Sequence, residues 1–395
     1  MGQKNLTVVR NMPAAPSGAG SGVDTSASSS AQRGFDTPAA LGFGMPAEWE
    51  PHQATWIAWP HNLTDWPGKF APIHWVYGEM VRKIVPGEIV RIIVPSRAHE
   101  ARARRILTRA GVPLQRVEFF RFPTNRGWTR DFGPLFVRRA QPRPELAILR
   151  FRFTAWARYP DWRKDDAVAG RAARALRCRL FRVRAEGRDI VLEGGSIDVN
   201  GCGTLLTTEE CLLDQNIQAR NPGLSREEME ALLRAYFGVR KVLWLGRGIA
   251  GDDTHGHIDD LGRFVGPRTV VLCRQDDPRD INYRPLEENR ERLEGMRLQD
   301  GSKIEVLSLP MPAPLYLDGQ RLPASYANFY ISNSAVLVPT FNDPRDRLAL
   351  GALAEVFPDR PVMGIHAVDL VWGLGTLHCL TREEPALARG AGQAG

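Results

Sequence analysis

The stretch Ser196-Ile-Asp-Val-Asn-Gly-Cys-Gly-Thr-Leu-Leu-Thr207 decides the fold class. It predicts two short strands, 196–199 and 204–207, that pair across a turn at Asn200-Gly201. Asparagine followed by glycine between two β-type runs is a strong signal for a hairpin, since both residues tolerate a positive φ. An antiparallel strand pair is therefore expected here.

A helix and a further strand are predicted after this pair. Ser225 with Glu228 three residues later is a capping box, which marks a helix start, and Gly238 marks the end of that helix. Residues 242–245 are typical of a buried strand. The order strand, strand, helix, strand indicates an α/β architecture with a repeating unit. The same alternation predicts a strand at 89–94 and helices at 97–110 and 343–357.

Composition excludes several classes of protein. The chain has 395 residues, 43% hydrophobic and 25% charged, which is enough for a substantial buried core. Its net charge of +7 comes mostly from scattered arginines that form no basic stripe, so no nucleic-acid partner is expected.

Five cysteines without a CxxC spacing argue against a disulfide framework. With no apolar run of membrane length and no secretory signal, we expect a cytoplasmic protein without a membrane partner.

The two ends of the chain differ in composition from its middle. Residues 1–40 are rich in alanine, glycine, serine and proline, and residues 387–395 read the same way. Such segments bury too little apolar surface to offset the entropy of ordering. We therefore expect flexible tails at both ends and a single catalytic domain at 41–386.

Four polar clusters lie in β-type surroundings, where a buried charge needs a reason. Each is expected at a strand end, the place where scaffolded loops usually carry function. The glycines of the second cluster would let a ligand or another backbone approach closely, although a tight turn with an exposed glutamate has the same pattern. The clusters are Trp128-Thr-Arg-Asp131, Leu192-Glu193-Gly194-Gly-Ser-Ile-Asp198, Gly251-Asp-Asp-Thr-His255-Gly-His257-Ile-Asp259-Asp260 and Gly373-Leu-Gly-Thr-Leu-His378-Cys379.

The third and fourth clusters allow more than one chemistry. Alternating His255, His257 and Asp259 resemble part of a zinc ligand set, but the other histidines form no second cluster of that kind. Without a metal, His257 and Asp259 would share one face of an extended segment and act on one substrate. Cys379 alone would be a small buried hydrophobe. As a nucleophile it would need His257 as its base, because adjacent His378 would point to the opposite face of a strand.

Taken together, these residue types suit a guanidinium. Carboxylates such as Asp131, Glu193 and Asp259 can hold its N–H groups in bidentate pairs. An aligned thiolate can then attack the central carbon. The substrate cation would lower the pKa of the thiol, while the imidazole protonates departing ammonia and then deprotonates water. The clusters therefore predict hydrolysis of a guanidine to a urea.

The same segments resemble the agmatine deiminase and bacterial peptidylarginine deiminase family, from Met45 to about Thr381. The likeness also includes Met45–Pro60, Leu205–Leu213 and Ala324–Tyr330. It implies the pentein fold, a propeller of five ββαβ units around a pseudo-fivefold axis. It further implies a C–N hydrolase acting on linear amidines through a covalent thiouronium intermediate, without a metal or an organic cofactor.

The resemblance also implies roles for individual residues. Cys379 would be the nucleophile and His257 the acid/base, while Asp131 and Asp259 would clamp the guanidinium and Glu193 would assist proton transfer. Further contacts to the substrate are expected from Trp128, Gly194 and Arg126.

The leading expectation is conversion of agmatine and water to N-carbamoylputrescine and ammonia, in putrescine and polyamine synthesis. Arg126 stands where the family often has an acidic residue, and Asp260 where it often has asparagine. An arginine near the pocket would favour a substrate carboxylate over the agmatine amine. A deiminase of free or peptidyl arginine, an amidinotransferase, a zinc hydrolase and a non-catalytic binding protein therefore stay open. The partner is expected to be a small cationic guanidine, with a homo-oligomer left open.

Overall fold

The computed structural model describes residues 37–387. The tails were expected at 1–40 and 387–395, and all of these residues except 37–40 and 387 lie outside the described residues. Residues 37–40 form a turn in which the Ala39 N–H donates to the Ala235 carbonyl oxygen at 3.0 Å.

Short strands and helices alternate along the described residues. The strands are β1 His52–Ala58, β2 Ile89–Val94, β3 Val117–Arg121, β4 Leu135–Arg139, β5 Glu145–Arg150, β6 Arg179–Arg182, β7 Arg184–Ala185, β8 Arg188–Asp189, β9 Asp198–Val199, β10 Thr204–Thr208, β11 Lys241–Leu245, β12 Gly262–Phe264, β13 Thr269–Arg274, β14 Glu305–Pro310, β15 Tyr316–Leu317, β16 Gln320–Arg321, β17 Tyr330–Ile331, β18 Val336–Thr340, β19 Val362–His366 and β20 Thr381–Pro385. The α-helices are α1 Phe70–Ile84, α2 Arg97–Arg109, α3 Thr129–Phe132, α4 Arg163–Asp166, α5 Val168–Leu176, α6 Glu209–Leu213, α7 Arg226–Phe237, α8 Tyr283–Gly295, α9 Asp346–Val356 and α10 Leu377–Leu380. Single 3-10 turns lie at Leu114–Arg116, Gly194–Ser196, Ile258–Asp260 and Val371–Gly373.

Five sheets of three or four strands share one pairing pattern within residues 37–387. In each, an antiparallel pair is followed by a helix and a third strand parallel to the second. The orders are β4-β5-β6, β9-β10-β11, β12-β13-β14, β17-β18-β19 and β20-β1-β2-β3. The last sheet joins the two ends of the domain, because β20 pairs antiparallel with β1. The architecture is therefore mixed α/β, built from several small sheets.

The local predictions hold with small shifts. Strand 89–94 and the capping-box helix are confirmed: Ser225 accepts from the Glu228 N–H, and Gly238 ends α7 at a φ of 69°. The hairpin is also confirmed, but its turn is longer than two residues. The Asn200 side chain accepts from the N–H groups of Cys202 and Thr204, so it holds a turn of several residues and β9 shortens to 198–199.

Two apolar cores lie between these units. The larger one includes the central strand residues Ile57, Ile92 and Leu337, all fully buried. The smaller one lies under α7, where Leu233 and Phe237 pack with residues of the β4-β5-β6 and β9-β10-β11 sheets. Burial of both cores holds the short strands in register. No helix among residues 37–387 is long and apolar enough to cross a membrane.

Candidate active site

The four predicted clusters occupy equivalent places in four of the units. Each lies in a single helical turn directly before the first strand of a sheet: α3, the turns at 194–196 and 258–260, and α10. The fifth unit has Asn328 in the corresponding place, two residues before β17. Repetition of the unit therefore brings polar groups from distant parts of the sequence to one location.

Cys379 lies among acidic and amide side chains. Its Sγ accepts a hydrogen bond from Asn328 Nδ2 at 3.1 Å and lies 3.8 Å from Asp259 Oδ2. The side chain is buried. Burial, followed by the charges of Asp259, Asp260 and Asp131, raises the pKa of the thiol well above its usual range. The free protein therefore holds this residue as a thiol at neutral pH.

His257 is buried and faces three carboxylates. Its Nδ1 lies 3.7 Å from Asp131 Oδ1 and 3.9 Å from Asp259 Oδ1, and its Nε2 lies 3.6 Å from Glu193 Oε2. Burial alone would lower the pKa of His257, but Asp131 and its other neighbours outweigh burial and raise it well above its usual value. The imidazole is thus poised to carry a proton.

Asp259 links the thiol to the imidazole and to a second histidine. Its Oδ2 bonds His378 Nδ1 at 2.6 Å, and His378 Nε2 bonds Glu48 Oε2 at 2.7 Å. Burial would raise the pKa of Asp259, but the contact with His378 lowers it overall. The second oxygen of Asp259 is buried and has no hydrogen-bond partner among the described residues. It is therefore an available acceptor beside His257.

The predicted orientation of His378 assumed that residues 378 and 379 lie on a strand, and this is wrong. Residues 377–380 form one helical turn, because Asn328 Oδ1 accepts from the N–H of His378 at 3.1 Å and of Cys379 at 3.4 Å. Both ring nitrogens of His378 are engaged by carboxylates. His378 therefore holds Asp259 in place, and its ring is not free to act on the thiol.

Asp131 is fixed by neighbouring N–H groups. Its Oδ1 accepts from Gly195 N at 3.0 Å and its Oδ2 from Trp156 Nε1 at 2.8 Å. A Cβ at Gly195 would lie only 2.6 Å from His257 Nδ1 and 2.9 Å from Asp131 Oδ1. Only glycine allows these two groups to meet here. Burial raises the pKa of Asp131.

Glu193 is fully buried beside an arginine. Arg220 Nε lies 3.3 and 3.2 Å from its two carboxylate oxygens. Burial alone would raise the pKa of Glu193, but Arg220 and His257 lower it. The alternative of a tight turn with an exposed glutamate is therefore wrong. Gly194 serves packing within the protein, since a Cβ there would collide with the Arg382 side chain and the Arg130 carbonyl oxygen.

A cavity of about 270 Å³ leads to these groups. Cys379 and Asp131 lie among its lining residues, together with Trp128, which packs on Trp66 at a ring separation of 5.1 Å. Trp128 thus forms an apolar wall beside the thiol. The remaining lining residues include Asp65, Arg126, Tyr159, Asp253, Asp318 and Trp372.

Arg126 lines this cavity, but its charge is already paired. Its Nη1 donates to Asp65 Oδ1 at 2.8 Å and its Nη2 to Asp161 Oδ1 at 3.0 Å, and the guanidinium lies over the ring of Tyr159. Burial raises the pKa of Asp65 to about 7, although Arg126 opposes this shift. The arginine is therefore held by two carboxylates beside the cavity.

The two histidines of the third cluster are close in sequence but have different partners in the structure. His255 Nε2 bonds Asp214 Oδ2 at 2.9 Å, whereas His257 faces Asp131, Glu193 and Asp259. The two rings therefore point to different sets of side chains. The structure does not bring His255, His257 and Asp259 together as the ligands of a zinc hydrolase.

Several site residues were missed because their surroundings in the sequence are ordinary. Arg220 and Trp156 lie in loops without a motif. Asn328 lies in the segment 324–330 that carries the family likeness, yet nothing local distinguishes it. Position relative to the strands could have identified Asn328, because Asp260, Asn328 and Cys379 each lie two residues before the first strand of a sheet. In the structure Asn328 Nδ2 contacts both Asp260 and Cys379.

Comparisons with known proteins agree with this geometry. A family model described as Porphyromonas-type peptidyl-arginine deiminase matches residues 44–385. The agmatine deiminase of Ectopseudomonas mendocina is 36% identical over 374 residues, which cover 89% of this chain and 97% of that protein. The structure of the agmatine deiminase of Enterococcus faecalis has a TM-score of 0.80 at 33% identity, covering 88% of this chain and 97% of that one. A C. Jejuni agmatine deiminase with substrate bound has a TM-score of 0.77 at 31% identity, with the same coverage.

The fold and the thiol-centred site thus define a hydrolytic enzyme of the class that acts on guanidino groups. The chain belongs to the Porphyromonas-type peptidyl-arginine deiminase family, which its sequence matches over nearly all of the described residues.

Proposed function

We propose that this chain hydrolyses agmatine to N-carbamoylputrescine and ammonia, with Cys379 as the nucleophile and His257 as the acid/base. The observation that carries the proposal is the position of Asp259. Its two oxygens lie 3.8 Å from Cys379 Sγ and 3.9 Å from His257 Nδ1, so one carboxylate borders both reacting groups.

Binding of the guanidinium follows from the acidic surroundings of the thiol. Asp131, which lines the cavity, and Asp259 both carry carboxylates beside His257, and the free oxygen of Asp259 can accept an N–H. A planar, permanently charged group with five donors satisfies such acceptors well. Trp128 would pack against its flat face. Glu193 contacts His257 Nε2 and would help to hold or pass a proton there.

Activation of the thiol would depend on the substrate. The carboxylates that raise the pKa of Cys379 also bind the cation, and the bound cation would reverse their effect, so that the thiol releases its proton to solvent as substrate binds. The thiolate sulfur then forms a bond to the guanidinium carbon. As the C–N bond breaks, His257 supplies the proton with which ammonia leaves, and a thiouronium remains on Cys379. His257 next takes a proton from water, the oxygen bonds to carbon, and the S–C bond breaks to release the urea and the thiolate.

Acidic residues along the cavity favour a substrate whose tail is positively charged. Asp65 and Asp161 both bind Arg126, and Asp253, which pairs with Arg158, and Asp318 line the same cavity, so four acidic groups face two arginines. Negative potential at this place favours the terminal ammonium of agmatine and disfavours the carboxylate of free arginine. The expectation that Arg126 favours a substrate carboxylate is therefore weakened, because two carboxylates already pair with its charge.

We propose further that the five sheets form the blades of a pentein propeller, and that residues 41–386 make its single catalytic domain. The shared pairing order of the sheets and the closure of β20 on β1 support this arrangement. A cytoplasmic location is proposed because all five cysteines are unpaired.

The test is a product assay on the purified full chain. It is incubated in parallel with agmatine, free arginine and an arginyl peptide, with and without an added amine acceptor, and ureido products are quantified. We expect N-carbamoylputrescine from agmatine, no activity in Cys379→Ala, and wild-type activity in Cys202→Ala, which removes an exposed thiol. Faster citrulline formation from either arginine substrate would move the assignment to that substrate. A new guanidine formed from the acceptor would indicate transfer, and no product from any substrate would refute the enzyme.

A further inference from the structure

A second buried thiol lies against the acid/base histidine. The sulfur of Cys211, a ring nitrogen of His257 and a carboxylate oxygen of Glu193 all lie within 4.8 Å of one another. The three side chains are buried to 1% exposure or less. The reaction proposed above uses His257 and Glu193 but gives Cys211 no part.

The fold places Cys211 there through a capped turn. Strand β10 ends at Thr208, whose side chain accepts from the Cys211 N–H at 3.1 Å and so starts α6. The same hydroxyl donates to the Gly256 carbonyl oxygen at 2.5 Å, one residue before His257. Strand β10 and the 251–257 loop are thus joined beside the thiol, which fixes Cys211 relative to the imidazole.

These side chains form a ligand set for a borderline-soft cation. Thiolate, imidazole and carboxylate are the usual zinc ligands, with bonds of about 2.0–2.3 Å that place tetrahedral ligand atoms roughly 3.5 Å apart. Glu193 Oε2 lies 3.6 Å from His257 Nε2. That nitrogen is buried and has no hydrogen-bond partner among the described residues. Arg220 can keep its contact with the other oxygen of Glu193.

We propose that Cys211, His257 and Glu193 form a binding site for zinc or a similar divalent cation, and that occupation of this site inhibits the enzyme. Metal binding would release the Cys211 thiol proton and the proton on His257 Nε2 to solvent, and would leave a fourth coordination position for water. His257 would then be unable to transfer protons. The inhibition rests on the proposed function, whereas the binding does not.

Two neighbours of this site line the cavity. Asp131 and Thr254 line the cavity; Asp131 lies 3.7 Å from His257, and the Thr254 carbonyl oxygen accepts from Arg220, the partner of Glu193. Asp259, Asp260 and Cys379 also lie within 4.8 Å of one another and are the rival site. There, however, His378 and Asn328 already occupy Asp259 and Cys379.

The experiment measures Co²⁺ binding to the full chain by absorption, because thiolate ligation gives an intense charge-transfer band. In Cys379→Ala the band should persist with one Co²⁺ per chain, and Zn²⁺ should abolish it by displacement. In Cys211→Ala the band should disappear, and the Zn²⁺ concentration for half-inhibition of the deiminase should rise about tenfold or more. Cys273→Ala, which removes another buried thiol, should behave like the wild type in both assays.

A band that is lost in Cys379→Ala and kept in Cys211→Ala would overturn the proposal and assign metal binding to the rival site. Absence of a thiolate band in the wild type would also overturn it. If the chain proved inactive on every guanidine, the Co²⁺ measurement would still decide the binding site. Thermal unfolding of each variant, in the absence of metal, identifies any loss of signal that is due to misfolding.

Discussion

The inner and outer parts of the cavity are built on different principles. We call them the centre, made by the lining residues Asp131 and Cys379 with their buried neighbours Glu193, His257 and Asp259, and the mouth, made by the lining residues Asp65, Arg126, Tyr159 and Trp372 with Asp161, which binds Arg126. Every side chain of the centre is buried and contacts protein groups, in the case of Asp131 and Asp259 groups from other units. At the mouth, Asp161 is 41% exposed and Arg126 is paired with carboxylates rather than directed at a reacting atom.

This difference separates chemistry from selectivity. Desolvated charges interact strongly, so a change in the centre should alter the rate by orders of magnitude. The charges at the mouth pair with one another and not with a reacting group, and Asp161 is partly exposed to solvent, so a change there should alter substrate binding modestly. The predictions below test whether the two regions are as distinct as their burial indicates.

The largest effect is expected at the nucleophile. Cys379→Ala should lower kcat for agmatine by a factor on the order of 10⁴ or more, because no other group can form the covalent intermediate. Its thermal stability should stay close to that of the wild type, since a buried alanine is tolerated there. Steady-state kinetics and calorimetry check both statements. Residual activity within tenfold of the wild type would place the nucleophile elsewhere.

A smaller loss is expected from Asn328, which positions the thiol without contacting substrate. Asn328→Ala removes the donor to Cys379 Sγ and the acceptor for the N–H groups of α10. Loss of hydrogen bonds to buried partners should lower kcat roughly 10- to 100-fold, with little change in KM. The matched control is Asn289→Ala, another buried asparagine, which bonds Gly246 and Arg247. It should lose stability but keep kcat; equal kcat losses in both variants would indicate a merely structural role.

The raised pKa of Cys379 predicts a pH dependence in the free enzyme. Because burial and the nearby carboxylates raise the pKa well above that of an ordinary thiol, the thiolate fraction should increase about tenfold per pH unit between pH 7 and 9, and alkylation by a neutral haloacetamide should follow it. A bound, unreactive guanidinium-like cation would lower that pKa and remove most of the slope. Mass spectrometry of the Cys379 peptide reports the rate. A rate that is already constant at pH 7 would show that the carboxylates do not control this thiol.

The smallest effect is expected at the mouth. Asp65, with a pKa of about 7, is neutral below pH 7 and charged above it, so the mouth becomes more negative as pH rises. KM for agmatine should therefore fall about threefold between pH 6 and 8, and Asp65→Asn should remove this trend. An alkylguanidine with an uncharged tail is the control and should show no such change. The same trend for both substrates would place the titrating group in the centre.

Local signals in the sequence predicted the elements well, whereas contacts between units were beyond its reach. Ser225 and Glu228 act within one helical turn, so their capping box could be recognised directly. The closure of β20 on β1 joins residues more than 300 positions apart, and nothing in either strand specifies that partner. The number of units therefore came from a family resemblance, not from periodicity.

The site shows the same division. Cys379 and His257 were predicted as site residues because a thiol, an imidazole and several carboxylates together suit a guanidinium, and the structure places both beside Asp259. Asn328, Arg220 and Cys211 are ordinary residues until the fold brings them to the same place. His378 was misjudged because its neighbours favour a strand, while an asparagine side chain from another unit stabilises a helical turn.

The central claim is that the Cys379 sulfur bonds to the guanidinium carbon during turnover. The most direct measurement is mass spectrometry of the wild-type enzyme quenched in acid during steady-state reaction with agmatine. The account predicts an adduct on the peptide that contains Cys379, with the mass of agmatine less one ammonia, and no adduct in Cys379→Ala. Steady release of ammonia with no adduct on this peptide, or with the adduct on Cys211, would contradict it.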